Sequence, residues 1–221
     1  MCQVSEDMKS NKNDGGSKRL YRMNLRAQRM EETRLRITEA LVELHRTVGP
    51  ARATVSEVAK RAGVRRMTVY NHFPTDLEMI DACSSHWVSA NPPPDPEEWA
   101  RIRDPDERAR RGLEELYRYY RRNRDMVGNF VRDAPLVPAL AEIMGRKWFP
   151  LIETMADTLV RDRNATPAGE RTLRAVVEVA LAYETWRTLT KHEPDDEAAA
   201  RVAAAMITGA LDATDPSGGA T

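Results

Sequence analysis

Cysteine is nearly absent from this chain: Cys2 and Cys83 are the two among 221 residues. Two thiols in a chain of this length exclude a disulfide framework, and both are read as free. No apolar run approaches the roughly 18–20 residues of a membrane span. The polar, basic N-terminus lacks the apolar stretch of a secretory signal. A cytoplasmic protein without membrane contact is expected. The four histidines, His45, His72, His86 and His192, include no pair at i, i+4, and no Cys/His cluster has zinc spacing. Neither a glycine-rich phosphate loop nor a G-x-S-x-G serine elbow occurs. Carboxylates lie scattered on solvated faces, often beside arginines, as in residues 106–111. No catalytic residue, metal or cofactor is expected, and the chain does not read as an enzyme.

Net charge is also absent, but the zero hides an asymmetry. Residues 1–75 carry 15 Lys+Arg against 8 Asp+Glu, a net of +7; residues 76–221 carry 19 against 26, a net of −7. One end of the chain is suited to an anion and the remainder is not, a pattern found in nucleic-acid binders. With 41% apolar and 31% charged residues the chain is globular.

Strand-like alternation and internal repeats are missing too, and the expected fold class is all-α. Residues 1–28 read as a disordered basic arm, and the basic residues offered there and just beyond are Lys18, Arg19, Arg22, Arg26 and Arg29. Ile37, Ala40, Leu41, Leu44 and Val48 recur at helical spacing, and Gly49-Pro50 stops that helix. Thr54 and Glu57 form a capping box for a short second helix, closed by Gly63. A third helix is expected from about Arg65 to His72, with Val69 and Phe73 inward, and a fourth from about Thr75 to Val88. Four prolines in residues 90–96 make a linker. Further helices follow: Ala109 to Tyr120, Leu136 to Leu159 with a kink at Pro150, an apolar helix from about Leu173, and an alanine-rich helix from Asp196 to Leu211. The domain reading is a helix-turn-helix over 29–75, a helical region over 76–212 and a disordered tail over 213–221.

Thr54 to Phe73 has the layout of a helix-turn-helix, two short helices joined by Ala62-Gly63-Val64, the second of which enters the major groove. The candidate DNA contacts are Thr54, Arg65, Arg66, Met67, Thr68, Tyr70, Asn71 and His72. Arginine can hold guanine and asparagine adenine through paired hydrogen bonds. Threonine, tyrosine and histidine can bond phosphate oxygens without reading sequence.

At Thr54, Val58-Ala59, Ala62-Gly63-Val64, Thr68-Val69-Tyr70 and His72-Phe73, over roughly residues 31–88, the sequence resembles the tetracycline-repressor (TetR) family of bacterial regulators. Two positions depart from that pattern. Arg65 replaces a small hydroxyl residue that caps the recognition helix, and Asp76 stands where members often carry a phosphate-binding lysine. The basic arm is a candidate for supplying the missing backbone contact. The resemblance implies an N-terminal three-helix DNA-binding domain and a C-terminal ligand-binding and dimerisation domain. Its implied partners are double-stranded DNA with a palindromic operator, a second copy of the chain, and an unidentified small-molecule effector that releases a homodimeric repressor. Candidate dimer residues on the last helices are Val176, Val179, Ala180, Tyr183, Ala199, Ala203, Met206, Ile207 and Ala210. Candidate pocket residues are Tyr117, Tyr120, Met126, Phe130, Trp148, Met155, Tyr183 and Trp186.

Overall fold

A computed structural model describes residues 14–163 and 165–212. All regular structure among them is helical. No described helix is long and apolar enough to cross a membrane.

Helix α1 (Asp14–Thr47) starts well before the apolar pattern does. The reading of residues 1–28 as a disordered arm is therefore corrected over 14–28. These residues are helical because they contain no proline and continue directly into α1, which supplies the costly nucleus. Residues 1–13, including Cys2, and the expected tail at 213–221 lie outside the described residues. Gly49 ends α1 with φ of 91°, and a Cβ there would meet the Arg132 and Asp133 side chains.

Helices α2 (Val55–Ala62), α3 (Arg66–His72) and α4 (Asp76–Ala90) follow. Ile37, Leu41, Leu44, Val58, Ala59, Val69, Phe73, Met79 and Cys83 enclose the N-terminal core. Met126 and Phe130, from outside this region, complete it. Helix α4 faces two ways, since Met79 and Cys83 enter the N-terminal core while Ile80 packs with Leu140, Ile143 and Met144.

Helices α5 (Pro96–Ala100) and α6 (Pro105–Arg122) lie beyond the proline segment. Trp99 is buried against Gly112 of α6, where an added Cβ would come within 2.9 Å of the indole. Helix α7 (Arg124–Asp133) grips the end of α1. Asn129 Nδ2 donates to the His45 and Arg46 carbonyls at 2.9 and 2.8 Å. Asp133 Oδ2 accepts from the Ala51 amide at 3.0 Å, and Arg132 donates to the Val48 carbonyl at 3.1 Å.

Helix α8 (Pro138–Ile143) runs through one π turn (Met144–Trp148) into α9 (Phe149–Val160). The kink expected at Pro150 is taken up in this wider turn just before it, where the Phe149 amide bonds the Met144 carbonyl. Helix α10 (Pro167–Leu181) breaks at Ala182 before α11 (Tyr183–Leu189), and α12 (Asp196–Asp212) closes the bundle. The alanines of α12 let it pack close to α6 and α10. Ala199, Ala203 and Ile207 are fully buried there with Leu113, Leu116, Tyr117, Tyr120, Leu173 and Val177.

Candidate nucleic-acid interface and ligand cavity

The N-terminal helices are built to hold α3 outward. Thr54 Oγ1 accepts from the Glu57 amide at 3.2 Å, and Glu57 Oε2 accepts from the Thr54 amide at 3.3 Å and from its hydroxyl at 2.8 Å. These hydrogen bonds pull the Glu57 carboxyl below its usual range. Gly63 turns the chain with φ of 65°, and the Val64 amide reaches back to the Ala59 carbonyl at 2.9 Å. That left-handed turn suits glycine, which lacks the Cβ that would strain it. Arg65, as the α3 N-cap, provides no side-chain hydrogen bond, in keeping with its departure from the hydroxyl pattern.

Two arginines of α1 lock the unit. Arg34 donates to the His72 carbonyl at 2.6 Å while its guanidinium lies 4.1 Å from the centre of the Phe73 ring. Arg36 donates to the Ala62 carbonyl at 3.3 Å. Both neutralise the negative C-terminal ends of the short helices α2 and α3.

With Val69 and Phe73 buried, Arg65, Arg66, Met67, Tyr70 and Asn71 are exposed, and Thr68 and His72 are half-buried. The side chains of Arg65, Arg66, Tyr70 and Asn71 make no hydrogen bond or ion pair among the described residues, so their polar atoms are available to a partner. Thr54 differs: its hydroxyl is engaged with Glu57 on both sides, and its place in the unit is that of a cap. Asp76 is exposed at the start of α4, where its charge favours the helix end but opposes phosphate.

A cavity of about 290 Å³ lies on the other side of α4. Trp87 and Val88 of α4, Pro93, Tyr119 of α6, Met126, Val127 and Phe130 of α7, Ile143 and Met144, Trp148 and Leu151 line it. Its polar edge is Ser84, Ser85 and Lys147. Lys147 Nζ is 2.6 Å from Asp81 Oδ1 and 2.8 Å from Ser85 Oγ, both on α4. Met126 and Phe130 belong at once to this wall and to the N-terminal core.

Of the residues offered for a pocket, Met126, Phe130 and Trp148 line this cavity and the others do not. Tyr117 and Tyr120 are fully buried, their hydroxyls donating to the Ala180 and Leu181 carbonyls at 2.9 and 2.6 Å. Met155 is packed into the C-terminal core. Trp186 Nε1 donates to Asp196 at 2.9 Å, and Tyr183 lies over Gly128 with its hydroxyl on the Arg124 carbonyl at 3.1 Å. Tyr119, Trp87 and Met144 line the cavity and are not among the residues offered for a pocket. Tyr119 neighbours Tyr120 in sequence, and spacing alone does not say which ring of a Tyr-Tyr pair faces a void. Its indole partner is the available signal, since Tyr119 stacks on Trp148 at 6.1 Å. Burial raises the Tyr119 hydroxyl to about 12.

The expected dimer residues divide similarly. Ala180 of α10 and Ala199, Ala203, Ile207 and Ala210 of α12 are buried within the single chain, the alanine stripe of α12 being used against α6 and α10 rather than outward. Val179 and Met206 are exposed and Val176 half-buried, and with Ala175 they form an apolar face flanked by Arg171 and Thr172.

The two short helices, their left-handed turn and the outward polar face define a helix-turn-helix DNA-binding unit. Residues 37–83 match the model of the tetR family of bacterial regulatory proteins. Over those residues the chain is similar to the DNA-binding region of that family. A 52-residue stretch is 44% identical to the HTH-type transcriptional regulator SrpR of Pseudomonas putida, covering 24% of this chain and 24% of that protein. The uncharacterized regulator TtgW, also of Pseudomonas putida, is 42% identical over 52 residues, 24% of this chain and 39% of that protein. The match thus spans well under half of either relative's length. A solved transcriptional regulator from Rhodococcus sp. Rha1 is similar over 81% of this chain and 97% of its own, at 26% identity and a TM-score of 0.54. NalD of Pseudomonas aeruginosa, the secondary repressor of a multidrug efflux pump, shares the fold at 19% identity and a TM-score of 0.54, over 82% of this chain and 97% of its own.

Proposed function

We propose that the protein is a homodimeric transcriptional repressor that binds a palindromic operator and is released by a small, neutral, apolar effector. The observation that carries this reading is the outer face of α3: Arg65, Arg66, Tyr70 and Asn71 have no side-chain partner among the described residues. Such a set is suited to base edges and phosphates in a major groove. Repression is the simpler sign of regulation, since tight occupancy of a promoter suffices.

Residues 29–75 act as the reading head and 76–212 as the sensing and dimerising region, with α4 serving both. The face formed by Val176, Val179 and Met206 is the proposed contact between two copies, a self-complementary surface about a two-fold axis. Two heads so joined would meet major-groove faces about one helical turn apart or slightly more.

The effector class follows from the cavity wall. Lys147, its one charged lining residue, is already matched by Asp81, and no carboxylate lines the space. A buried ion would lose its hydration without an opposite charge, which costs several kcal/mol. A neutral molecule would lose little. Occupancy presses on Trp87 and Val88 of α4 and on Met126 and Phe130, which also shape the core of the reading head. Release then requires that an occupied cavity favour a position of α4 other than the DNA-bound one.

A genomic-fragment pull-down with purified protein, repeated across a salt series, tests the reading. Enrichment of a few fragments sharing a palindrome, with affinity falling steeply as salt rises, supports it. No enrichment at low salt rejects it.

A further inference from the structure

We infer that the N-terminal turns of α1 form a second DNA-binding element, an arginine rail that lies along the phosphate backbone beside the groove occupied by α3. The inference rests on the DNA-binding reading and adds to it a site outside the helix-turn-helix. Arg19, Arg22, Arg26 and Arg29 are spaced by three, four and three residues on one helix. At 3.6 residues per turn they fall within a sector of about 80° and span about 15 Å along the axis. Glu31 and Glu32 fall outside that sector, so the rail is of one sign.

Their lack of partners separates these arginines from most others in the chain. Arg108, Arg110, Arg121, Arg132, Arg163 and Arg174 are all ion-paired. Arg19, Arg22, Arg26 and Arg29 form no side-chain hydrogen bond or ion pair among the described residues. Every side chain from Arg19 to Glu32 is exposed except half-buried Leu25. A helical stretch that buries almost nothing in its own protein and displays four unpaired guanidinium groups in line is matched to an extended anion.

The position of the rail selects duplex DNA as that anion. The C-terminal end of α1 is held by α7, and Arg34 joins α1 to the end of α3 through the His72 carbonyl. The rail begins five residues before Arg34, about 8 Å along the axis. It also occupies the sector in which Ile37, Ala40 and Leu44 pack on the reading head, so the face that holds the head continues past it as arginine. Measured along the duplex axis, a length of about 15 Å covers four or five base-pair steps at roughly 3.4 Å each. The rail would replace the phosphate contact that Asp76 denies the start of α4.

The test uses the full chain with Arg19, Arg22, Arg26 and Arg29 all changed to Gln, which keeps helix propensity and removes charge. A companion quadruple Lys variant keeps the charge. Binding to a labelled mixed-sequence duplex of about four helical turns is measured across a salt series, with circular dichroism as the check on folding. Removing one arginine–phosphate interaction makes the slope of log affinity against log salt shallower by about 0.9. The Gln variant is therefore expected to lose about 3 to 4 from the slope per protomer, and the Lys variant to keep most of it. The preference for a genomic fragment selected by the wild type over the mixed duplex should stay within about twofold, because phosphate contacts carry no sequence information. An unchanged slope in the Gln variant overturns the rail and leaves the helix-turn-helix reading standing. Loss of slope in the Lys variant as well, with both variants folded, overturns a role based on charge. If the wild type itself fails to bind either duplex, the DNA-binding reading falls and takes the rail with it.

Discussion

Lys147 Nζ sits 2.6 Å from Asp81 Oδ1, so the one charge on the cavity wall is neutralised by the helix that links the cavity to the reading head. The change Asp81→Asn should leave Lys147 open to an anionic ligand. The affinity ratio of naphthalene-2-carboxylate to 2-acetonaphthone, measured by calorimetry, should rise at least about tenfold over wild type, equivalent to about 1.4 kcal/mol. The pair is half-exposed, so stability should change by no more than about 1 kcal/mol. An unchanged ratio would reject the electrostatic account of ligand choice.

His45 makes the fold sensitive to acid. It is buried, with Nδ1 3.2 Å from the Cys83 sulfur, and burial lowers its pKa from 6.5 to about 4, against a smaller opposing pull from Asp133. The folded state holds it neutral while the unfolded chain takes up a proton below pH 6.5. Stability from this group is therefore complete above pH 6.5 and falls as pH drops toward 4. Denaturant unfolding should show a loss of about 2 kcal/mol between about pH 7 and pH 5. His45→Leu should remove most of that pH-dependent loss, whatever it does to stability at neutral pH.

On α3, Arg66→Ala and Asn71→Ala should each weaken operator binding by about 1–3 kcal/mol and relax base choice. Tyr70→Phe and His72→Ala should weaken specific and mixed-sequence DNA alike. Quantitative binding to both duplexes checks the division, and equal losses on both for all four variants would reject it.

Val179 is 50% and Met206 39% exposed on an apolar face. The double change Val179→Glu, Met206→Glu, which sets like charges against each other across the two-fold contact, should give a folded monomer in sedimentation with weaker DNA binding. Persistence of a dimer would place the contact elsewhere.

The N-terminal unit was largely legible in the sequence because its signals are local. A capping box, a glycine with positive φ and two buried apolar residues four apart fix α2 and α3 within twenty residues. The C-terminal site was only partly legible, since it depends on which side of a wholly apolar helix meets which neighbour. Tyr117, Tyr119 and Tyr120 have similar spacing credentials, yet two place their hydroxyls on carbonyls of α10 and the third lines the cavity. The alanines of α12 were a comparable ambiguity, as small residues permit close packing inside a protomer as readily as between two. The helical state of residues 14–28 was hidden for another reason: no apolar stripe marks it, and its order comes from continuity with α1.

The grip of α7 on the end of α1 bears on how such proteins can be recombined. The proline segment at 90–96 looks like the natural cut for grafting this reading head onto another sensor. A graft made there would leave behind Met126 and Phe130, which close the head's core, and Asn129 and Asp133, which bond the backbone at the end of α1. A chimera would need to carry α7 along, or an equivalent footing from its new host. The proposed reading head is thus not a detachable module, and a new sequence preference would come more readily by substitution within α3 than by exchange of the head.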